Sequence, residues 1–231
     1  HFFRQNFSQV TNPPIDSLRE NEVMSLKTRF GNTGNILDFE NLTKDNIYVL
    51  ESPILSNSQF EKFIKFFGKN SKIIDCTFSH NNSLVESLEK ILKESEIAVR
   101  QGATQLILTD INISEEKVAI PMLLCVGAIN KYLIEKKLRG YVSINVQTGE
   151  ALDTHSFATI LGVGATTINP YLALDSLYQR YEKKLFGKLN YEECIERYIK
   201  SINFGLLKIM SKMGISVLSS YRGGCNFEAL G

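Results

Sequence analysis

Two aspartates occupy positions where α/β proteins often carry reactive carboxylates. Asp75 and Asp110 each follow a short run rich in Ile, Leu or Thr, and such runs predict strands. Carboxylates at the carboxyl ends of parallel strands can bind substrate hydroxyls or a metal ion. The same side chains also accept hydrogen bonds in turns and helix caps. We expect the turn or cap role for both residues.

Other candidate centres are weaker. His155 has no second His or Glu at ligand spacing, which predicts a structural or surface role. Gly162 and Gly164 resemble a phosphate loop, but they precede a predicted strand, so we expect a helix end and a turn. Gly223 and Gly224 follow another predicted strand, and a turn is again expected. No nucleophile elbow, HExxH motif or P-loop occurs, so the sequence predicts no catalytic residue and no metal site.

The cysteines do not form a metal-binding pattern. Cys76, Cys125, Cys194 and Cys225 are widely separated, without a CxxC pair. This spacing argues against a zinc or iron–sulfur site. No signal peptide is recognisable at the start of the chain, so we expect reduced thiols in a cytosolic environment.

Composition excludes several classes of protein. The 231 residues include 26 Lys and Arg against 25 Asp and Glu, which gives a net charge of +1. This balance predicts neither a nucleic-acid partner nor an anionic membrane partner. No apolar run approaches the ~18 residues of a membrane-spanning helix. The chain has no Gly/Ser-rich or Pro-rich linker, so we expect a single domain over residues 1–231. Because the sequence starts at His1 without Met, we expect a fragment or a processed product, with the N-terminal part of the domain truncated.

Strand and helix patterns alternate along the chain. The predicted strands are Ile47–Leu50, Lys72–Phe78, Gln105–Thr109, Tyr141–Val146, Ala165–Ile168 and Ile215–Leu218. The predicted helices are Phe60–Phe67, Leu84–Val99, Pro121–Leu138, Leu152–Leu161, Tyr171–Leu185 and Tyr191–Met213. This alternation predicts an α/β fold with a mostly parallel sheet. Periodicity leaves open an incomplete barrel-like arrangement or an open doubly wound one. The polar stretch Gly31–Asn46 predicts a loop.

Local signals predict where some of these helices begin and end. Asn81 or Asn82 is the expected N-cap of the second helix, and Gly102 is its expected stop. Pro121 opens the third helix, because a missing N–H costs nothing in the first turn. Gly140 is expected to end it.

The string QVTNPPID at residues 9–16 is unusual. Two consecutive prolines remove two backbone donors and hold the chain extended, so Thr11 and Asn12 would form a rigid polar wall. Asp16 or Ser17 would then cap a helix that carries Arg19 and Glu20. A plain loop with an N-cap explains the same residues.

Three blocks of sequence carry a resemblance to a known family. They are FSQVTNPPIDSLRE at residues 7–20, IPMLLCVGA at 120–128 with NPYLA at 169–173, and GLLKIMSKMGIS at 205–216 with SSYRG at 219–223. With these blocks the chain resembles the central domain of the large (α) subunit of glutamate synthase, over nearly its whole length. It departs from the family pattern at Gly224 and Cys225, where Ala and Gln are usual.

The resemblance implies a part of a larger oxidoreductase. In that family an amidotransferase (glutaminase) domain releases ammonia from glutamine, and a tunnel carries the ammonia to an FMN-containing barrel. There 2-oxoglutarate becomes 2-iminoglutarate and is reduced to glutamate. Electrons come from an NAD(P)H-linked small subunit or from ferredoxin, through an iron–sulfur cluster. The central domain connects the two active-site domains, so this chain by itself is expected to hold no FMN and no cluster and to be inactive.

The resemblance also implies roles for individual residues. Thr11 and Asn12 match the segment that lines the ammonia tunnel. The positions expected to dock neighbouring domains or to lie near the FMN side are Asp16, Arg19, Glu20, Lys208, Lys212, Tyr221 and Arg222. The expected location is the cytoplasm, or the plastid stroma in a photosynthetic eukaryote. The alternative is a stand-alone α/β ligand-binding or regulatory protein that binds a phosphorylated small molecule at the carboxyl ends of the strands.

Overall fold

The computed structural model describes residues 3–6, 14–31, 37, 47–224 and 226–229. Thr11 and Asn12, the predicted tunnel residues, lie outside the described residues, and so does most of the predicted loop 31–46. The strands are β1 Phe3–Gln5, β2 Thr28–Phe30, β3 Tyr48–Leu50, β4 Ser71–Asp75, β5 Thr77–Ser79, β6 Gln105–Thr109, β7 Lys117–Ala119, β8 Ser143–Gln147, β9 Thr167–Asn169 and β10 Phe227–Ala229. The α-helices are α1 Glu20–Val23, α2 Asn57–Phe67, α3 Leu84–Arg100, α4 Met122–Glu135, α5 Thr154–Gly162, α6 Tyr171–Glu182, α7 Tyr191–Lys212 and α8 Leu218–Tyr221.

Four parallel strands form the central sheet, in the order β4-β6-β8-β9. Helices α3, α4 and α5 connect successive strands, which confirms the predicted α/β class with alternating helices. The strand order follows the chain order, as in a barrel, whereas a doubly wound sheet reverses its strand order. Within the described residues β4 and β9 do not pair with each other, so this sheet is not a closed barrel.

One face of the sheet carries the main apolar core. Side chains alternate between the two faces of a strand, so Leu106 and Leu108 point to the same side. Both are fully buried, together with Ile144 and Val146 of β8. They belong to one cluster with residues of α3, α4, α5 and α7, such as Ile129 of α4. This packing orients the strand ends that are considered below.

The other face is covered by α2 and the antiparallel pair β2–β3. Phe60 and Phe63 of α2 pack with Phe30, Leu50 and Ile107 in a second core cluster. The rings of Phe30 and Phe63 meet edge to face, with centroids 5.0 Å apart. The predicted apolar face of this helix is therefore confirmed. In a closed barrel this sheet face would line the barrel interior. Here α2 covers the face instead.

Two predicted strands behave differently from expectation. Ile47–Leu50 does not join the parallel sheet, because β3 pairs antiparallel with β2. The prediction of a strand at Ile215–Leu218 is wrong, since Val217 makes only an isolated bridge to Ser25 and α8 begins at Leu218. After the turn at Gly214, this backbone pairs with the N-terminal part of the chain, and periodicity within 215–218 does not encode that partner.

Helix ends were predicted with mixed success. Ser83, not Asn81 or Asn82, is the N-cap of α3, and its side chain accepts from the Val85 N–H. Gly102 follows α3 with a φ of +97°, as its predicted stop role requires. Pro121 is the N-cap of α4, just before the first turn in which it was predicted, and α4 ends at Glu135, well before Gly140. Lys137 takes a left-handed φ of +60° there, so the chain leaves the helix without a glycine.

The three described cysteines, Cys76, Cys125 and Cys194, are free and buried. The hydrogen bond with the adjacent Cys125 thiol, and then burial, hold the pKa of Cys76 above its ordinary value. Cys225 lies outside the described residues. Among the helices described, none combines the length and the apolar character that crossing a bilayer requires.

Candidate functional site

The carboxyl edge of the sheet, formed by the loops after β4, β6 and β8, is the first region to consider. Asp110 follows β6 and has no exposed surface. It accepts hydrogen bonds from the Thr148 hydroxyl and from the Gly149 N–H, the latter at 3.1 Å. Asp110 therefore ties the end of β6 to the loop after β8. The expected turn or cap role of Asp110 is therefore wrong, because its carboxylate joins two strands and serves no turn or cap among the described residues.

Two ionisable groups surround this contact. Burial, and then the Asp110 charge, raise the pKa of the Tyr171 phenol to about 12. The Glu150 carboxylate accepts from the Met122 N–H at 3.0 Å and so stabilises the start of α4. Loss of water, and to a lesser extent the Asp110 charge, raise the pKa of Glu150. Glu150 therefore has a structural role at the start of α4.

Asp75 has the predicted turn role. Its carboxylate accepts from the Thr77 N–H at 3.0 Å and from the Thr77 hydroxyl at 2.7 Å. Asn112 donates to the other oxygen at 3.1 Å, and the Lys117 ammonium lies 3.9 Å away. The turn redirects the chain after β4, which explains why the predicted strand Lys72–Phe78 is divided into β4 and β5.

The chemistry of the carboxyl edge does not fit a phosphorylated ligand or the phosphate of FMN. Asp75, Asp110 and Glu150 bring negative charge to this edge, and like charges oppose phosphate binding. In the part of the chain that the structure describes, no group of His, Cys, Asp and Glu residues could hold a metal ion. His155 lies half-buried on α5, with its ring edge-on to Phe227 at a centroid distance of 6.4 Å. This packing against Phe227 indicates a structural role for His155.

A buried polar network crosses the sheet, and sequence reasoning missed it. Asn145, fully buried in β8, donates to the Gln105 side chain at 3.0 Å and accepts from the Thr167 hydroxyl at 2.8 Å. Nearer the carboxyl edge, Asn169 donates to the Leu55 carbonyl at 3.0 Å. An Asn within an otherwise apolar strand was the available signal, because such a side chain must find partners when buried.

The second region is the anchored segment, residues 14–26, which follows the predicted tunnel residues. It lies along the C-terminal part of α7 and the turn after it. The Ile15 N–H donates to the Ser211 carbonyl at 2.8 Å, and the Ser25 N–H donates to the Ser216 carbonyl at 2.8 Å. The Leu218 N–H donates back to the Ser25 carbonyl at 3.2 Å. Backbone hydrogen bonds thus fix both ends of the segment.

An ion pair between a buried carboxylate and a partly exposed ammonium fixes the middle of the anchored segment. Glu20 is 6% exposed, and its carboxylate lies 2.9 Å from the Lys208 ammonium of α7. The hydrogen bond from Lys208, aided by the Ser211 hydroxyl, lowers the pKa of Glu20 despite its burial. Lys208 also lies 5.5 Å from the centroid of the Phe204 ring. The structure therefore brings together two residues that the sequence placed in separate motifs.

The remaining predicted site residues are spread over two places. Asp16 and Arg19 are exposed on the anchored segment, where Asp16 accepts from the Leu18 N–H at 3.0 Å. Lys212 is exposed at the end of α7. Tyr221 has no exposed surface, and its hydroxyl donates to the Ala158 carbonyl at 3.2 Å. Burial raises the pKa of Tyr221. Arg222 is half-buried just after α8.

The sequence matches the family model described as glutamate synthase central domain, over residues 1–231. The chain belongs to the glutamate synthase central domain family. This confirms the resemblance carried by the three sequence blocks, which lie near the two ends of this chain and in its middle.

Relatives of this central domain occur within much longer glutamate synthases. The chain is 53% identical over 234 residues to the "Glutamate synthase [NADPH] large chain" of Azospirillum brasilense, covering 100% of this chain and 15% of that protein. It is 40% identical over 245 residues to the chloroplastic ferredoxin-dependent glutamate synthase of Oryza sativa subsp. japonica, again covering 100% and 15%. The chain thus spans 15% of the length of these two relatives.

Among solved structures, the central domain is similar to a mutant flavocytochrome b2 bound to benzoylformate. The TM-score is 0.48 at 14% sequence identity, and the match covers 74% of this chain and 38% of that one.

Proposed function

We propose that this chain is the connecting domain of a glutamate synthase large chain and that it forms part of the wall of an ammonia tunnel. In this proposal the parent enzyme converts glutamine and 2-oxoglutarate into two molecules of glutamate. The chain holds the glutaminase domain and the FMN-containing domain at a fixed separation. It contributes geometry and shielding and carries out no chemical step.

The observation that carries the proposal is the anchoring of residues 14–26 on α7. Backbone bonds at Ile15 and Ser25, with the Glu20–Lys208 pair between them, fix the segment that directly continues Thr11 and Asn12. A tunnel wall must keep its shape while ammonia passes. Anchoring of the adjacent segment provides that rigidity, and the Pro13-Pro14 pair restricts the backbone in between.

The chemical reason for a tunnel is the basicity of ammonia. Contact with bulk water protonates it, and ammonium has no lone pair with which to attack a carbonyl carbon. A wall with few charges and with hydroxyl or carbonyl acceptors passes neutral ammonia without trapping it. Thr11 and Asn12 have suitable side chains for such a wall.

The proposed partners are other parts of the same polypeptide and an electron donor. The glutaminase and FMN-barrel domains would lie on either side of this chain, and the iron–sulfur cluster would also belong to the parent enzyme. The donor is an NAD(P)H-linked small subunit or ferredoxin, since relatives named for NADPH and for ferredoxin both match the chain. The proposed location is the cytoplasm or the plastid stroma.

The substitution Thr11→Ala in the full-length large chain tests this function. Loss of the hydroxyl is expected to let ammonia escape, so less glutamate forms by reduction for each glutamine hydrolysed. The measurement is the ratio of 2-oxoglutarate consumed to glutamine consumed. Ser17→Ala, on the exposed side of the anchored segment, is the matched control and should keep the one-to-one ratio. A Thr11→Ala enzyme that keeps one-to-one coupling would contradict the proposal.

A further inference from the structure

A cavity of about 460 Å³ opens at the amino ends of β8 and β9, opposite the carboxyl edge. We call it the arginine cavity, because Arg139 and Arg222 both line it. Its other polar lining includes Asn130 and Ser219, and the described lining contains no Asp or Glu. A volume of this size lies within the range of roughly 300–1,000 Å³ that is usual for small-molecule sites.

Arg139 is held firmly in this cavity. Its Nε donates to Asn130 Oδ1 at 2.6 Å, and its terminal nitrogens donate to the carbonyls of Val142 at 2.5 Å and Gly164 at 3.0 Å. A Cβ on Gly164 would lie 2.6 Å from Asn130 Cγ, so the close approach requires glycine there. A guanidinium has five N–H groups, and these three bonds leave part of it for another acceptor.

Arg222, the second arginine of the cavity, differs from Arg139 in its hydrogen bonding. It is half-buried, yet across the described ranges its guanidinium has neither a hydrogen bond nor an ion pair. Loss of water lowers the pKa of Arg222. Burial, and then the nearby Arg222 charge, lower the pKa of Arg139 to about 10. Two partly dehydrated cations therefore share one cavity whose described lining contains no acid, which is unfavourable unless an anion joins them.

We propose that the arginine cavity binds a small soluble oxyanion, a phosphate or a carboxylate, between Arg139 and Arg222. Planar guanidinium groups match the oxygen pairs of both anions and form bidentate hydrogen bonds with them. Arg139 supplies a pre-positioned fork, and Arg222 supplies a charge that is free to turn toward the ligand. The described lining of the cavity contains none of residues 14–26, so this proposal does not rest on the anchored segment that supports the proposed function.

Chemical modification of arginine tests the site in the intact large chain. Phenylglyoxal reacts with accessible guanidinium groups, and peptide mass spectrometry measures the rate at each residue. Inorganic phosphate and acetate are the probes, with sodium chloride at equal ionic strength as the reference. At about ten times the dissociation constant, phosphate should slow modification of Arg222 about tenfold, and the effect should saturate. Arg180, exposed on α6 and outside the cavity, is the control and should react at an unchanged rate.

A designed carboxylate gives a second test. Ser219→Asp places an acid in the lining of the cavity, where it should raise the melting temperature and abolish protection of Arg222 by phosphate. Ser219→Asn has a similar size without the charge and should retain phosphate protection. The proposal is overturned if neither phosphate nor acetate slows modification of Arg222 relative to chloride. It is equally overturned if phosphate protects Arg222 to the same extent in the Ser219→Asp variant.

Discussion

The two ends of the central sheet use charge in opposite ways. At the carboxyl edge, the Asp110 carboxylate is fully buried and accepts from a hydroxyl and a backbone N–H. At the amino end, Arg139 binds three acceptors, whereas Arg222 is half-buried with no side-chain partner among the described residues. Barrel-like folds place their chemistry at the carboxyl edge. Here the Asp110 carboxylate at that edge makes its hydrogen bonds with the loop after β8. At the opposite end, the Arg222 guanidinium keeps a positive charge that no described side chain pairs.

The contrast between the two ends distinguishes polar groups that stabilise the fold from polar groups that are available to bind a ligand. A buried polar group whose bonds are all made within the chain stabilises the structure and leaves nothing for a ligand. A charged group that is partly dehydrated and unpaired is costly, so a ligand or partner is the natural explanation for it. By this criterion the carboxyl edge is a structural joint, and the arginine cavity is a binding site.

The largest effect is expected from Asp110→Ala. The change leaves the Thr148 hydroxyl and the Gly149 N–H without their acceptor in a buried place, at a cost of about 3–4 kcal/mol in the free energy of unfolding. Urea unfolding measures this loss. Glu115→Ala, exposed in the same loop, should change stability by less than about 0.5 kcal/mol. A neutral Asp110→Ala variant would mean that the carboxyl edge is not a structural joint.

The two arginines of the cavity should contribute differently to the free energy of unfolding. Arg139→Ala removes three hydrogen bonds from a charged donor, and we expect a loss of about 2–3 kcal/mol because water can replace part of them. Arg222→Ala removes an unpaired cation and should cost less than about 0.5 kcal/mol. Unfolding of the two variants in phosphate-free buffer gives the comparison. Equal losses would show that Arg222 has a structural partner and would remove the contrast between the two ends.

A smaller effect concerns the N-cap of α5, close to the carboxyl edge. The Ser156 N–H, and then the Ser156 hydroxyl, lower the pKa of Asp153. A lowered pKa means that the stabilisation is present above the ordinary value of 3.8 and is lost as the pH falls through the lowered value. Asp153→Ala should cost about 1 kcal/mol at pH 7. Wild type and variant should converge in stability as the pH falls, and a constant difference across the titration would contradict this assignment.

The sequence predicted what depends on local patterns. The apolar spacing within Phe60–Phe67 located α2, and α7 begins at Tyr191, where the sequence predicted its start. The QVTNPPID string at residues 9–16 indicated the family through its own unusual composition. In each case the information lies within a few neighbouring residues, so it can be read from one stretch of chain.

Contacts between distant parts of the chain were not predictable in this way. Glu20 pairs with Lys208, and Arg139 shares a cavity with Arg222, yet no spacing rule links residues so far apart. Val217 lies in an apolar run that favours a strand, but its backbone neighbour is the anchored segment at Ser25. The tertiary partner decided these cases, and a single sequence does not contain a signal for it.

The most direct test of the proposed function reverses the Glu20–Lys208 ion pair in the full-length large chain. Lys208→Glu places two acids together and should release the anchored segment, so that less 2-oxoglutarate is consumed for each glutamine hydrolysed. Glu20→Lys combined with Lys208→Glu should restore the pair and the one-to-one ratio, and Lys200→Glu, exposed on α7, should leave the ratio unchanged. One-to-one coupling in the folded Lys208→Glu enzyme would contradict the claim that this anchor shapes the ammonia tunnel.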